Sequence, residues 1–384
     1  MPEWDGARPA PLGVNVVPGD QETGSIIMKN RRRAFTLIEC AVMVLVLGLL
    51  ISVAVPMLGA ARYQMRGLSS AQKLMDIGQG GMMYAGDHGD RLFSYSWRAD
   101  ESYVLPSGQV RNPATDQDAA ADQNQEILMR RTGRISGAYK IQNATSRIPH
   151  RRYTHLVLMD YLGEAFPSDL FIDPSDVNQQ VWSANPLEYG PGSGVPYADG
   201  IPDGYDEDAN WPLAAVRQRW AFGSSYQVVP DAWQPDRGTR YIPVPDTPHL
   251  FMLSVFNPSG DWLSRGRKMT DVLFNGNKVW MYEEFDRDRA NPLYFGYDEA
   301  QSEKLMFDGS VNNWASGNAA PSMVPEQGYG RWCQTYVPLD TFPLPTGGLG
   351  DPMRVSQRYR WTFNGLAGIN YGPFSWSGTI PGCE

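Results

Sequence analysis

Residues 40–61, CAVMVLVLGLLISVAVPMLGAA, contain no charged side chain. As a helix, this stretch would span about 33 Å, which exceeds the roughly 30 Å of a membrane's hydrocarbon core. A basic cluster lies just before it and consists of Lys29, Arg31, Arg32 and Arg33. Because basic residues beside a membrane helix stay in the cytoplasm, the pattern predicts a single-pass protein with a cytoplasmic N-terminus. The rest of the chain would then lie outside the cytoplasm.

A cleavable secretory signal is the alternative interpretation of this segment. Such a signal has a shorter apolar region followed by a cleavage site of small residues. Here the apolar run is long, and a single acidic residue, Glu39, stands at its start. A carboxylate near the membrane costs a few kcal/mol and therefore needs a partner. The basic leader could provide that partner at the membrane surface, or a more specific group could.

The composition limits the classes of function. The chain has 384 residues and a net charge of -9, which disfavours a nucleic-acid partner, since phosphate contacts need clustered Lys and Arg. It contains 39 Gly, 30 Pro, 12 Trp and 19 Tyr, a composition typical of a turn-rich domain with short strands. The Trp and Tyr side chains are more simply explained by core packing than by a sugar-binding face.

The segment RAFTLIE, residues 33–39, with Gly48 and Pro56 following, resembles the cleavage and methylation segment of type IV prepilins and type II secretion pseudopilins. The resemblance implies that a membrane prepilin peptidase cuts between Ala34 and Phe35 and methylates the new amine. It also implies that Glu39 pairs with the N-terminal amine during assembly, which gives the carboxylate its partner.

Other features of the segment concern its helix and its leader. The resemblance implies that the helix bends at Pro56 within a filament. Two positions depart from the family pattern: Ala34 stands where Gly precedes the cut, and Cys40 replaces an aliphatic residue. Residues 1–27 are polar and unpatterned, so we expect translation to start at Met28. The predicted divisions are a leader over 1–34, a methylated transmembrane and assembly helix over 35–86, and an extracytoplasmic domain over 87–384.

Further stretches are similar to large pseudopilin-like proteins. They are residues 74–91, residues 161–163 with 170–176, residues 224–226 and the late turn at 306–311. Asp173 stands where that subfamily often has Cys, and Asp298 where it often has His. The implied fold is α+β: a long N-terminal transmembrane and assembly α-helix packs on a globular antiparallel β-sheet domain with large insertions, as in pilins.

Local patterns give a coarse prediction for the outer domain. Apolar residues at helical spacing predict a stripe that packs on this domain, formed by Leu68, Ala71, Leu74, Met75, Gly78 and Met82. We predict strands over 156–159, 219–229, 249–255, 271–274, 278–282 and 304–307, with an Asn-Gly turn at Asn275. Residues 107–125 are rich in Gln, Asp, Ala and Asn and are predicted to form a mobile loop.

Two further features predict chemistry of the exported domain. The loop ADGIPDGYDED, residues 198–208, offers Asp199, Asp203, Asp206 and Asp208 as calcium ligands and resembles a calcium-binding repeat, although a solvated acidic loop would look the same. Cys333 and Cys383 could form a disulfide in an oxidising compartment. The acidic cluster at 283–289 has interleaved arginines and is interpreted as a neutralised surface or interface.

These observations predict a non-enzymatic structural subunit, pseudopilin-like, of a type II secretion pseudopilus or type IV pilus-like filament in the inner membrane. Its partners would be the prepilin peptidase, other pseudopilin subunits, the inner-membrane assembly platform and membrane lipid. A true pilin for adhesion or motility is a rival within the same class. A membrane-anchored glycan-binding protein or hydrolase that reuses a prepilin-like anchor is the rival from another class.

Overall fold

The computed structural model describes residues 36–143, 152–163, 166–187, 218–232, 266–287 and 292–320. It also describes the short pieces 324–325, 332–333, 335–336, 355–356, 358–360, 362 and 365–373. The chain divides into two compact units, Met1–Leu58 and Gly59–Glu384.

The first helix, α1 (Leu37–Asp87), has 51 residues and covers nearly the predicted range. In the first unit every described side chain from Leu37 to Leu58 is exposed. The helix is long and apolar enough to cross a membrane, and its most apolar window has no residue buried inside the protein. An apolar surface of this extent needs a covering, which lipid or neighbouring helices can provide.

In the second unit, the chain forms three further α-helices among its described residues: α2 (Asp116–Thr132), α3 (Met159–Leu162) and α4 (Val177–Ala184). The prediction of a mobile loop at 107–125 is wrong, because α2 occupies the second half of that range. Thr115 caps α2 by accepting a hydrogen bond from the Asp118 amide, and Gly133 ends it in the left-handed conformation. Both are ordinary helix-boundary residues, so the local signal was present.

Twelve short strands complete the described part of this unit. They are β1 (Tyr103–Val104), β2 (Val110–Arg111), β3 (Tyr226–Val228), β4 (Val279–Glu283), β5 (Phe285–Asp286), β6 (Leu293–Tyr294), β7 (Lys304–Met306), β8 (Val311–Asn312), β9 (Val324–Pro325), β10 (Trp332–Cys333), β11 (Thr335–Tyr336) and β12 (Val355–Ser356). Four of them form an antiparallel sheet in the order β3-β4-β7-β8. With the long apolar helix, this separate sheet agrees with the predicted α+β class.

The predictions for individual strands had mixed outcomes. Those at 278–282 and 304–307 are confirmed as β4 and β7, and that at 219–229 shrinks to β3. Residues 156–159 and 271–274 are not strands, because the 3-10 turns Thr154–Leu158 and Met269–Asp271 occupy or precede them. Apolar runs this short do not distinguish a strand from one buried helical turn. The prediction at 249–255 lies outside the described residues.

The predicted apolar stripe of α1 is only partly correct. Leu74 is fully buried and lies in the same hydrophobic core as Trp280 and Leu305 of the sheet. Leu68 is 68% exposed, and Met75 and Met82 also remain exposed. The buried face combines large apolar side chains, those of Leu74, Ile77 and Tyr84, with small residues that include Gly78 and Gly81.

Two glycines, Gly78 and Gly81, allow a close approach of α1 to the sheet, and a third, Gly80, lies against Leu162 of α3. A Cβ atom added to Gly81 would lie 2.5 Å from Cη2 of Trp280, and one at Gly78 would lie 2.9 Å from Cδ1 of Leu305. Glycine makes a helix about 1 kcal/mol less stable per residue than alanine does. At these positions that cost accompanies a closer contact with the sheet. The glycines therefore fix the distance between α1 and the four-stranded sheet.

Substitution of Gly81 by alanine tests this contact. We expect Gly81→Ala to lower the free energy of unfolding by about 1–3 kcal/mol, because the added methyl group overpacks against a rigid indole ring. Gly86→Ala on the same helix is the matched control, since a Cβ there meets no atom within 4 Å. Urea unfolding of the detergent-solubilised chain, followed by tryptophan fluorescence, measures both. Equal effects of the two substitutions would contradict the close-approach explanation.

Candidate functional site

The start of α1 holds a reciprocal pair of hydrogen bonds between Thr36 and Glu39. The Thr36 amide donates to Oε2 of Glu39 at 2.8 Å, and the Thr36 hydroxyl donates to the same oxygen at 2.9 Å. The Glu39 amide in turn donates to the Thr36 hydroxyl at 3.3 Å. This is a capping box, in which a Thr and a Glu three residues later satisfy amides that the first helical turn leaves unpaired.

The capping box places the Glu39 carboxylate beside the amide of Thr36, the second residue after the predicted cut. Thr36 follows Phe35 directly, and its amide already lies within hydrogen-bond distance of the carboxylate. Ala34 and Phe35 lie outside the described residues. A carboxylate held at a helix start also interacts favourably with the positive end of the helix dipole. The local sequence therefore gives Glu39 a second role besides the predicted pairing with an amine.

The other predicted assembly residues lie in the exposed apolar part of α1. Gly48 has no atom within 4 Å of where its Cβ would be, so no contact within the chain requires glycine there. Pro56 lies inside the continuous helix. Pro lacks an amide donor, so it removes one hydrogen bond of the helix at this point. Cys40 is a free, exposed thiol in the same segment.

In the second unit, a buried polar cluster joins α1 to the sheet. The Ser70 hydroxyl, on α1, hydrogen-bonds a carboxylate oxygen of Glu283 on β4 and lies 3.2 Å from the Tyr226 hydroxyl on β3. The Glu283 carboxyl also hydrogen-bonds the carboxyl of Asp173. All four residues are buried. Two carboxyl groups in direct contact need a shared proton, because two buried negative charges would repel each other.

The environment of the Asp173–Glu283 carboxyl pair favours this shared proton. Burial raises the pKa of both carboxyl groups above their ordinary values, and their mutual proximity raises that of Glu283 further. The Arg287 guanidinium acts against this by lowering the pKa of Asp173, but it also forms an ion pair with Asp176 at 3.2 Å. The pair thus holds one proton under conditions in which exposed carboxyl groups are ionised.

A second buried network centres on Glu284, the next residue along the chain. Its carboxylate accepts hydrogen bonds from Arg152 at 3.0 Å and Arg360 at 2.7 Å, and Gln227 also donates to it. The Arg360 side chain lies over the Phe295 ring, with 4.2 Å from its guanidinium carbon to the ring centroid. The interpretation of the acidic cluster at 283–289 as a surface is wrong for Glu283, Glu284 and Asp286, which are buried, while Asp288 and Arg289 lie outside the described residues.

A cleft of about 500 Å³ opens beside the carboxyl pair. One wall is the α1 face that carries Tyr63, Gly67 and Ala71, and the opposite wall includes Glu303 and Trp314. Its further lining residues are Gln64, Leu68, Asp173, Glu283, Asp286, Arg287, Gln301, Val311, Asn312 and Asn313. Four carboxyl groups and one guanidinium give the cleft an acidic lining.

Three of the family-like stretches meet around this cluster and cleft. Residues 170–176 contribute Asp173, residues 224–226 contribute Tyr226, and the turn at 306–311 joins the strands β7 and β8. In that turn Gly309 has a positive φ of 85°, and the Asp308 carboxylate accepts a hydrogen bond from the Ser310 amide at 2.9 Å. Sequence reasoning identified these stretches by resemblance but did not predict that their side chains form one site with Ser70.

The predicted calcium and disulfide sites cannot be located in the fold. Asp199, Asp203, Asp206 and Asp208 all lie outside the described residues, as does Cys383. Cys333 lies in the two-residue strand β10, which pairs with β9. Within the part of the chain that the structure describes, no group of three or more His, Cys, Asp or Glu side chains is arranged to hold a metal ion.

In comparisons with known proteins, no family model, no curated protein and no solved structure matches the chain.

The carboxyl pair predicts a pH dependence of stability. Because the folded pKa of Glu283 and Asp173 is raised, the native state keeps a proton that the unfolded state releases above about pH 4. The free energy of unfolding should then fall as pH rises from there towards the folded pKa, by up to about 1.4 kcal/mol per pH unit for one proton. Glu283→Gln keeps a neutral partner and should flatten this component.

Urea unfolding of the full chain in detergent between pH 4 and pH 8 measures this effect. The charged and titratable groups around the pair are Asp176, Arg287, Glu303, Lys304 and Tyr226, and they remain in the variant. The difference between wild type and Glu283→Gln therefore isolates the shared proton. Identical pH profiles for the two proteins would show that the pair is fully ionised in the native state.

Proposed function

We propose that the chain is a pseudopilin-like structural subunit of a type II secretion pseudopilus or a type IV pilus-like filament. The observation that carries the proposal is the RAFTLIE segment at 33–39, whose last three residues begin a helix with its first 22 residues all exposed and mostly apolar. A subunit that first resides in lipid and later packs among other helices needs a surface of this kind.

The structure of the second unit supports the proposal in a different way. There the same helix α1 continues without a break, and its glycine face packs on the antiparallel sheet. A helix that is exposed and apolar at one end and held by a folded domain at the other can carry that domain out of the membrane. The chain would stay in the inner membrane with its N-terminus in the cytoplasm and the domain 87–384 outside.

Processing and assembly would involve four kinds of partner. The prepilin peptidase would cut between Ala34 and Phe35 and methylate the amine of Phe35. Membrane lipid would cover residues 37–58 before assembly, and other subunits with the inner-membrane platform would cover them afterwards. In this proposal the protein catalyses no reaction itself.

A membrane-anchored glycan-binding protein or hydrolase is the second candidate function. The observation that favours it is the 500 Å³ cleft, where Trp314 is 42% exposed and faces a lining of carboxyl and amide groups. Aromatic rings beside such polar groups are suited to sugars. Binding of a glycan array by the detergent-solubilised chain, lost in Trp314→Ala, would favour this candidate over the filament subunit.

Two substitutions of Glu39 separate its possible roles. Glutamine also serves in a capping box, so Glu39→Gln should preserve the helix start while it removes the charge that pairs with the amine. We expect this variant to be cut normally between Ala34 and Phe35 but to enter filaments on the order of tenfold less, because a methylated amine in an apolar core would lack its counter-charge. Glu39→Ala should lose both functions.

Sheared filaments or cross-linked oligomers from the native host, quantified by immunoblot, measure assembly, and intact mass measures processing. Thr36→Ala is the matched control, since it removes the capping hydroxyl and keeps the Glu39 charge. Normal assembly of Glu39→Gln would show that the carboxylate acts only as a cap and would reject its charge pairing with the amine. Absence of filaments and oligomers from the wild type would count against the filament proposal.

A further inference from the structure

The cleft beside α1 is acidic, and the same helix carries exposed arginines of the opposite charge. Its mouth is formed by the half-buried Glu303 and the exposed Asn313, and its floor by the Asp173–Glu283 carboxyl pair. The shared proton and the buried Lys304 amine beside Glu283, Glu303 and Asp286 reduce the negative charge of the four lining carboxyl groups but do not cancel it. Among the lining residues that the structure describes, Arg287 is the one cation, and it forms an ion pair with Asp176. The cleft can therefore accept a positively charged group from outside.

Arg62 and Arg66 lie one helical turn apart on α1 and are both exposed. Neither guanidinium has a hydrogen bond or ion pair within the described part of the chain. Tyr63 and Gly67, which line the cleft, each follow one of these arginines in sequence. One residue corresponds to about 100° of rotation, so the arginines and the cleft occupy neighbouring but different faces of α1.

We propose that this cleft is an assembly site that receives Arg66, with Arg62 beside it, from a second copy of the same chain. The proposal rests on the function proposed above, in which copies of the chain assemble. The arginine would reach Glu303 at the mouth of the cleft. There the side-chain amide oxygens of Asn312 and Asn313 can accept hydrogen bonds from its remaining N–H groups.

The placement of the two faces determines the type of assembly. A contact between two different faces of the same molecule is heterologous, so each copy can bind one neighbour through its cleft and another through its arginines. Such contacts form an open chain of subunits unless the rotation closes a ring. The cleft residues on α1 extend from Tyr63 to Ala71, so an inserted Arg62 or Arg66 implies an axial offset of about 14 Å or less between neighbouring helices.

A disulfide between two copies tests the contact directly. We would express Arg66→Cys and Asn313→Cys as two differently tagged copies in the native host, and oxidise intact membranes and filaments. We expect a mixed dimer at a level about tenfold above that of either variant expressed with wild type, because only a cleft contact brings these positions together. Dimers that form through the protein's own cysteines give the same background in both controls.

Charge reversal provides the second test. The double substitution Arg62→Glu and Arg66→Glu is made in the chain without the introduced cysteines. It should reduce the amount of chemically cross-linked oligomers by about tenfold, because like charges would then meet at the cleft. Adding Glu303→Arg should restore them. Glu101→Arg, at an exposed acid outside the cleft, is the matched control and should restore nothing. Unchanged urea unfolding of each variant in detergent establishes that it is folded.

Each alternative outcome overturns the proposal. If the arginines instead contact lipid phosphate, Glu303→Arg will not rescue the reversal and no mixed dimer will form. Dimers between two Arg66→Cys copies alone would indicate a symmetric contact of the arginine face. Either result, together with normal processing at Phe35 and loss of assembly in Glu39→Gln, would reject the cleft contact while retaining the filament function. Absence of any oligomer in wild type would reject both.

Discussion

The contact between the glycine face of α1 and the sheet is the constraint on which the rest of the structure depends. Because Gly81 brings the helix backbone against Trp280, the helix lies close enough for Ser70 to reach Glu283. Leu74 and Ile77 are buried in the same contact, whereas Leu68 is exposed. In the second unit, α1 therefore presents to its own domain a tightly packed face that combines apolar side chains, glycines and Ser70.

The two neighbouring buried carboxyl groups Glu283 and Glu284 are compensated in different ways. Glu284 is compensated by Arg152 and Arg360, whereas Glu283 is compensated by a proton shared with Asp173. Removing one member of such a set leaves an uncompensated charge and is costly, although the intact set adds little net stability. These networks therefore fix which strands and loops meet more than they strengthen the fold. They also make the wall of the cleft beside α1 acidic.

Sequence reasoning could predict features that arise from local patterns. The uncharged run at 40–61 predicted the long helix, and the short runs at 278–282 and 304–307 predicted the strands β4 and β7. It missed α2, whose alanines and polar residues carry no strong apolar periodicity, although Thr115 and Gly133 marked both ends. It could not predict the Ser70–Glu283–Asp173 cluster, because those residues lie about a hundred or more positions apart and only the tertiary fold joins them.

The central claim is that the chain enters the membrane as a precursor and is matured at Phe35. Intact-mass analysis and N-terminal sequencing of the protein extracted from the membranes of its native host test this claim most directly. The account predicts a mature chain that begins with N-methylated Phe35. A chain that still carries Ala34 and the basic residues before it would contradict the account, and the outer domain would then be a permanently anchored protein rather than a filament subunit.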